Sequence, residues 1–237
     1  MPKPAPDPRA KFKQEAAEAA VQFVQSGMIV GLGTGTTAIF ATRRVGELLR
    51  MRQLKDITGF ATSQATFDEA KRLRIPMMKT TMPNKIDLTI DGADEVDPQF
   101  NLIKGGGGAL FREKIVAQAS GREIIVVDDS KLSDCLGTKF AVPVEVSPFG
   151  WLSQQRFLES LGAQTSVRKK PNGAQYVTDS GNMILDCKFG PITDVVDLAH
   201  KLSDRAGIVE HGLFIGITKD VIVAGGDGVK HLEKISS

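Results

Sequence analysis

Between residues 91 and 113 the chain concentrates groups that move protons. Asp91-Gly92-Ala93-Asp94-Glu95-Val96-Asp97 is followed by Lys104-Gly105-Gly106-Gly107-Gly108 and then by Arg112-Glu113-Lys114-Ile115. Carboxylates beside an ammonium and a bare backbone are the parts of general acid–base chemistry, in which a base takes a proton and positive charge steadies the oxyanion left behind. Glycines cost backbone entropy that neither helix nor strand repays, and their use is to let a main chain approach a ligand closely. The bland alternative is a solvated acidic turn followed by a glycine linker, and spacing alone leaves both readings open. A divalent-cation loop fits less well, because Asp91, Asp94 and Asp97 lack the Asp-x-Asp-x-Asp-Gly pattern and no histidine stands near them. No metal site is expected.

A second glycine-rich stretch, Gly31-Leu32-Gly33-Thr34-Gly35-Thr36-Thr37, follows the short apolar run Met28-Ile29-Val30 and leads into a helical pattern from Ala38. Two familiar phosphate motifs fail here. The dinucleotide pattern Gly-x-Gly-x-x-Gly needs glycine where Thr36 stands, and the nucleotide loop needs Gly-Lys-[Ser/Thr] where Gly35 is followed by Thr36. What survives is a helix start with free N–H groups and several hydroxyls, suited to a single phosphate. A tight turn that needs glycine only for its geometry remains the alternative.

Asp91-Gly92-Ala93-Asp94-Glu95, Lys104-Gly105-Gly106-Gly107, Arg112-Glu113-Lys114-Ile115 and the Gly31–Thr37 stretch together resemble the motif set of type A ribose-5-phosphate isomerases, in order and in spacing. The resemblance covers residues 13–234. It implies an intramolecular oxidoreductase that needs no cofactor and converts an aldose 5-phosphate to its ketose through an enediolate. By that resemblance Glu113 is the base that carries one proton between C2 and C1. Asp91 and Asp94 hold sugar hydroxyls and assist ring opening or proton transfer between the oxygens. Lys104 and the amides of Gly105, Gly106 and Gly107 stabilise the enediolate. Thr34, Gly35, Thr36 and Thr37 cradle the phosphate with charge from Lys131 and Lys13, and Gly92 and Ala93 border the substrate. Homodimers, and in some cases tetramers, are implied as well. Burial would raise the pKa of Glu113, whereas a helix start and Lys104 would lower it, and the sequence leaves the two unranked. A sugar-phosphate deaminase is disfavoured because no histidine accompanies Asp91 or Asp94. A non-enzymatic sugar-phosphate sensor would not need Glu113 opposite a lysine.

These groups need elements to position them. Ile86-Asp87-Leu88-Thr89-Ile90 alternates as a strand, so Asp91 emerges at its carboxyl end, where open α/β sheets gather ligands. Residues 11–25 read as an amphipathic helix stopped by Gly27, 57–61 as a weak strand, and 62–66 as the cap of a helix through residue 73. Strands are expected over 75–79, 86–90 and 101–104, a helix over 112–119, and a doubly buried strand over 123–127. The alternation gives a Rossmann-like, mostly parallel sheet with helices on both faces. Beyond residue 142 the pattern becomes β-α-β-β-α-β, the order of a ferredoxin-like α+β unit, with a turn at Pro171-Asn172-Gly173. The expected division is a proline-rich disordered tail over 1–10, a catalytic domain over 11–141 and 208–237, and an inserted α+β domain over 142–207. His200, His211 and His231 fall in or near the second domain and the last helix, away from the glycine loops, and read as structural or solvated. Trp151 and Tyr176 read as packing residues or interface contacts.

Composition narrows the partners. The chain has 237 residues, 41% of them hydrophobic and 24% charged, enough for a substantial core. Thirty basic residues against 28 acidic ones leave a net charge of +2 without a basic stripe, which argues against nucleic acid and an anionic membrane. Cys135 and Cys187 have no metal-ligand spacing and read as free thiols in a reducing compartment. The opening Met1-Pro2-Lys3-Pro4-Ala5-Pro6 has no apolar signal core, and no run nears the length of a membrane span, so a cytoplasmic protein is expected.

Overall fold

The computed structural model describes residues 7–78, 83 and 85–234. Its elements are α1 (Ala10–Val21), β1 (Ile29–Leu32), α2 (Ala38–Arg50), β2 (Thr58–Ala61), α3 (Gln64–Arg72), β3 (Leu88–Gly92), β4 (Glu95–Val96), β5 (Leu102–Ile103), α4 (Leu110–Ala119) and β6 (Glu123–Asp128), followed by a 3-10 turn at Asp129–Lys131. The chain continues through β7 (Val142–Val146), α5 (Trp151–Ser160), β8 (Gln164–Val167), β9 (Met183–Lys188), α6 (Val195–Ser203), β10 (Ile208–His211), β11 (Leu213–Phe214), β12 (Asp220–Gly225) and β13 (Gly228–Glu233).

The central sheet runs β13-β12-β6-β3-β1-β2, parallel except for the edge strand β13. From β1 the chain proceeds outward to β2 and later returns on the other side of β1 as β3. The order therefore reverses between β1 and β3, which opens a crevice at their carboxyl ends, where ligands bind in such sheets. Ala16, Ala17 and Ala20 of α1 are fully buried and pack, with α2, on one face of the sheet. Small side chains there let the helix lie close to β6 and β12. The other face buries Ile125, Val127, Val221 and Val223 beneath Ala117 of α4 and Phe214 of β11. Every residue of β6 is buried, as its unbroken apolar run requires.

The smaller sheet runs β10-β7-β9-β8, antiparallel throughout, with α5 and α6 supplying Leu158 and Leu202 to its core. This is the ferredoxin-like strand order. Ile208–His211 pairs with Val144–Val146, so the backbone bonding of this sheet runs four residues past Gly207.

Several elements differ from expectation, each for a local reason. The chain winds tighter after Val21, where Gln22, Phe23 and Val24 donate to carbonyls only three residues back, so α1 ends before Gln25. Asp7–Ala10 is folded onto the protein, not a tail: Arg9 pairs with Asp128 at 3.1 Å and with Asp129. Residues 1–6 lie outside the described residues. The strand expected over 75–79 is a single bridge between Met77 and Gly59, and Lys79 is again outside the described residues. Leu102–Ile103 joins β4 and β11 in a small antiparallel sheet. His231 stands in β13, not in a helix. Among the described residues no helix is long and apolar enough to cross a membrane.

Candidate active site

The crevice between β1 and β3 is where the predicted chemistry converges. Asp91 is the fourth residue of β3, buried to 1%, and its Oδ1 accepts N–H bonds from Thr34 at 3.1 Å and Gly92 at 2.7 Å. Those bonds require the turn after β1 to press against it. At Gly33 a Cβ would sit 2.2 Å from Asp91 Oδ1, so no larger residue fits. Lys104 follows β5, is 2% exposed, and places its ammonium 3.1 Å from Asp91 Oδ2 and 3.7 Å from Glu113 Oε2 while also donating to the Gly92 carbonyl. Glu113, in the first turn of α4, is 3% exposed, and its Oε2 has no hydrogen-bond partner. Gly105 adopts a φ of +96°, which turns the chain sharply after Lys104. Asp94 Oδ2 then accepts the Gly106 N–H at 2.7 Å.

The electrostatics follow from burial. Removal from water pushes Glu113 up to about 8 against the pull of Lys104, and the negative charges of Asp91, Asp94 and Glu123 add to the rise. Burial raises Asp91 as well, against the closer Lys104 ammonium and the Gly92 and Thr34 N–H donors, which favour its charged form. Burial would lower Lys104, yet Asp91, Glu113 and Glu123 together hold it above the ordinary lysine value. The triad is thus a fixed cation between two buried carboxyls, of which Glu113 is poised to exchange its proton near neutral pH.

A cavity of about 320 Å³ opens onto this group. Thr34, Gly35, Thr36, Thr37, Gly92, Ala93, Asp94, Lys104, Gly105, Gly106, Gly107, Glu113 and Lys131 all line it, joined by Phe140, which sequence reasoning missed. Asp91 lies behind Lys104. Lys13 stands at the margin, 3.1 Å from Thr36 Oγ1 and 2.6 Å from Asp7 Oδ2. Thr34 borders the cavity with Thr36 and Thr37, but its own hydroxyl is bonded to Thr62 at 2.7 Å and Ser63 at 2.8 Å. None of the three histidines lines it. His211 is buried against α6 and held neutral, its pKa pushed down to about 3 by burial and by the Lys114 charge. Two residues of the small domain also reach the glycine loop: Arg168 donates to the Gly105 carbonyl at 2.7 Å, and the Tyr176 hydroxyl donates to the Gly107 carbonyl at 3.2 Å. No motif in the sequence around Arg168 marked it. Nothing local marked Tyr176.

A buried carboxyl with one oxygen unpartnered, a buried ammonium and a loop of glycines and threonines at a sheet's switch point fit an enzyme of the sugar-phosphate isomerase class. The family described as ribose 5-phosphate isomerase A (phosphoriboisomerase A) matches residues 58–228. The chain is 55% identical over 222 residues to ribose-5-phosphate isomerase A of Desulfatibacillum aliphaticivorans, covering 94% of this chain and 96% of that one. It is 54% identical over 220 residues to the enzyme of that name from Chloroflexus aurantiacus, covering 93% and 92%. Among solved structures, ribose 5-phosphate isomerase from Plasmodium falciparum superposes with a TM-score of 0.92 at 39% identity, covering 96% of this chain and all of that one. A D-ribose-5-phosphate isomerase in complex with phospho-erythronic acid gives the same TM-score and identity, covering 94% and 98%. The chain belongs to the ribose 5-phosphate isomerase A family.

Proposed function

We propose that Glu113 is the base in the interconversion of ribose 5-phosphate and ribulose 5-phosphate, the reaction of this family. The observation that carries the assignment is its unpartnered Oε2, buried beside the Lys104 ammonium and facing the cavity. Ionised Glu113 takes the proton from C2, and the negative charge that develops on the C1 oxygen falls to Lys104 and the glycine amides. Protonated Glu113 then returns the same hydrogen to C1. Asp94, which lines the cavity, holds a sugar hydroxyl and assists proton transfer between the two oxygens, while Asp91 fixes Lys104 from behind. Thr36, Thr37, Gly35 and the Lys131 ammonium bind the phosphate, with Lys13 completing the charge; Thr34 contributes its backbone to the shape of the loop.

Glu113→Gln is the direct test. The variant is expected to lose roughly 10³-fold in kcat while binding ribose 5-phosphate within a few-fold of the parent, as read by turnover and by calorimetric titration. Wild-type turnover would remove Glu113 from the mechanism.

A homodimer is also inferred, supported by the exposed apolar side chains Phe149, Leu152, Val177 and Val196 on the small domain. Light scattering of the purified protein reads its mass directly. A cytoplasmic location is supported by the two free thiols, Cys135 and the buried Cys187.

A further inference from the structure

The amides proposed to face the enediolate sit in the part of the chain least able to hold its own conformation. Residues 105–108 are all glycine, and Gly105 already lies at φ +96°, so peptide planes there turn at little cost. Within the loop one bond, from the Gly108 N–H to the Gly105 carbonyl at 2.9 Å, closes the turn, and the remaining contacts come from outside it. Arg168, just past β8, places its Nη1 2.7 Å from the Gly105 carbonyl oxygen and 3.2 Å from that of Gly106. Its guanidinium plane is fixed in turn by Asp186, which accepts from Nε at 3.0 Å and also from Nη2. The Tyr176 hydroxyl holds the next carbonyl, that of Gly107.

In a trans peptide the carbonyl and the following N–H point in opposite directions. Carbonyls drawn toward Arg168 therefore aim the Gly106 and Gly107 N–H groups at the cavity. The Gly106 N–H so directed donates to Asp94 Oδ2 at 2.7 Å, so there Arg168 helps to set the position of Asp94, and the Gly107 N–H is the amide left to meet the developing charge. A lysine could not do the same, because one ammonium cannot hold two carbonyls and a carboxylate in a single plane.

We propose that Arg168, fixed by Asp186, is a positioning residue for the isomerisation, directing the Gly106 N–H to Asp94 and the Gly107 N–H to the cavity, with Tyr176 holding the peptide that follows. The proposal rests on the reading that the Gly107 amide stabilises the enediolate and that Asp94 holds a sugar hydroxyl. It also assigns the small domain a part in the chemistry that the catalytic sheet alone does not supply.

The test compares Arg168→Met, Arg168→Lys, Tyr176→Phe and Glu113→Gln as full-length proteins. Arg168→Met is expected to lower kcat on the order of 10–100-fold with KM within about threefold, Arg168→Lys to fall between it and the parent, and Tyr176→Phe to lose roughly threefold. Two inhibitors separate positioning from general damage. Affinity for the hydroxamate of a four-carbon aldonic acid phosphate, whose planar head copies the enediolate, is expected to fall with kcat, while affinity for inorganic phosphate stays constant. Equal losses for both inhibitors, or wild-type kcat in Arg168→Met alongside an inactive Glu113→Gln, would overturn the positioning role and leave the base intact. An active Glu113→Gln would instead overturn the reading beneath it. Should Arg168→Met fail to fold, Tyr176→Phe and Arg168→Lys decide the matter, and wild-type kcat in both overturns the proposal.

Discussion

Asp91 and Glu113 are carboxylates beside the same ammonium, and their different surroundings divide the work. Asp91 has a contact at 3.1 Å and two N–H donors, whereas Glu113 stands 3.7 Å from Lys104 with one oxygen bare. Because burial pushes Glu113 up to about 8, the fraction of free enzyme with an ionised base grows with pH through that value. kcat/KM for ribose 5-phosphate is expected to rise from pH 6 and level off above about 8; a profile flat from pH 5 upward would show that Glu113 keeps an ordinary carboxyl value. Lys131 lines the cavity. Lys131→Ala is expected to raise KM roughly tenfold and leave kcat within about twofold, because a contact with the unreacting phosphate is made equally in the ground and transition states. An unchanged KM would remove it from the phosphate site. At this scale the sequence was informative where chemistry follows one strand or one turn, as at Asp91 and Glu113. It was silent on the Thr34 hydroxyl, whose partners Thr62 and Ser63 lie about thirty positions away and come close only when β1 and β2 pair.

The elements carry the site by close contact between loops that are far apart in sequence. Gly33 is the tightest of these contacts, since an added Cβ would meet both the Asp91 carboxylate and its Cα at 2.6 Å. Gly33→Ala must shift backbone, so a loss of roughly 2 kcal/mol in unfolding free energy is expected, together with a large fall in turnover as Asp91 and Lys104 move apart. Denaturant unfolding and kinetics on the same sample check both. Long periodic elements such as β6 and α2 were readable because their buried faces repeat. The two-residue strand β4 has no period to read, and it exists only because β5, which lies inside the strand expected over 101–104, supplies its backbone partners. The end of α1 was misjudged for a related reason: Phe23 and Val24 continue the apolar content of the helix, yet they pack after the chain has wound out of it.

For the molecule as a whole, two buried carboxyls set how stability depends on pH. Glu123, at the start of β6, is pushed up to about 7 by burial against the pull of Lys104, and one of its oxygens also lacks a partner. Glu113 and Glu123 both start from an ordinary value of 4.5, so between that pH and about 8 the folded protein retains protons that the unfolded chain has released. Their contribution is complete below pH 4.5 and is lost as the pH rises through 7 to 8. Thermal unfolding of Glu123→Gln is therefore expected to show a gain of roughly 2 kcal/mol over the parent at pH 8.5 and little at pH 5, where both carry a neutral group. A constant difference across that range would mean that Glu123 is ionised in the fold throughout. The same shelter from solvent has a consequence for the hydrogen that Glu113 carries. An acid walled off by the sheet, α4 and the small domain trades its hydrogen slowly with bulk water, so deuterium placed on C2 of the aldose should reappear largely on C1 of the ketose.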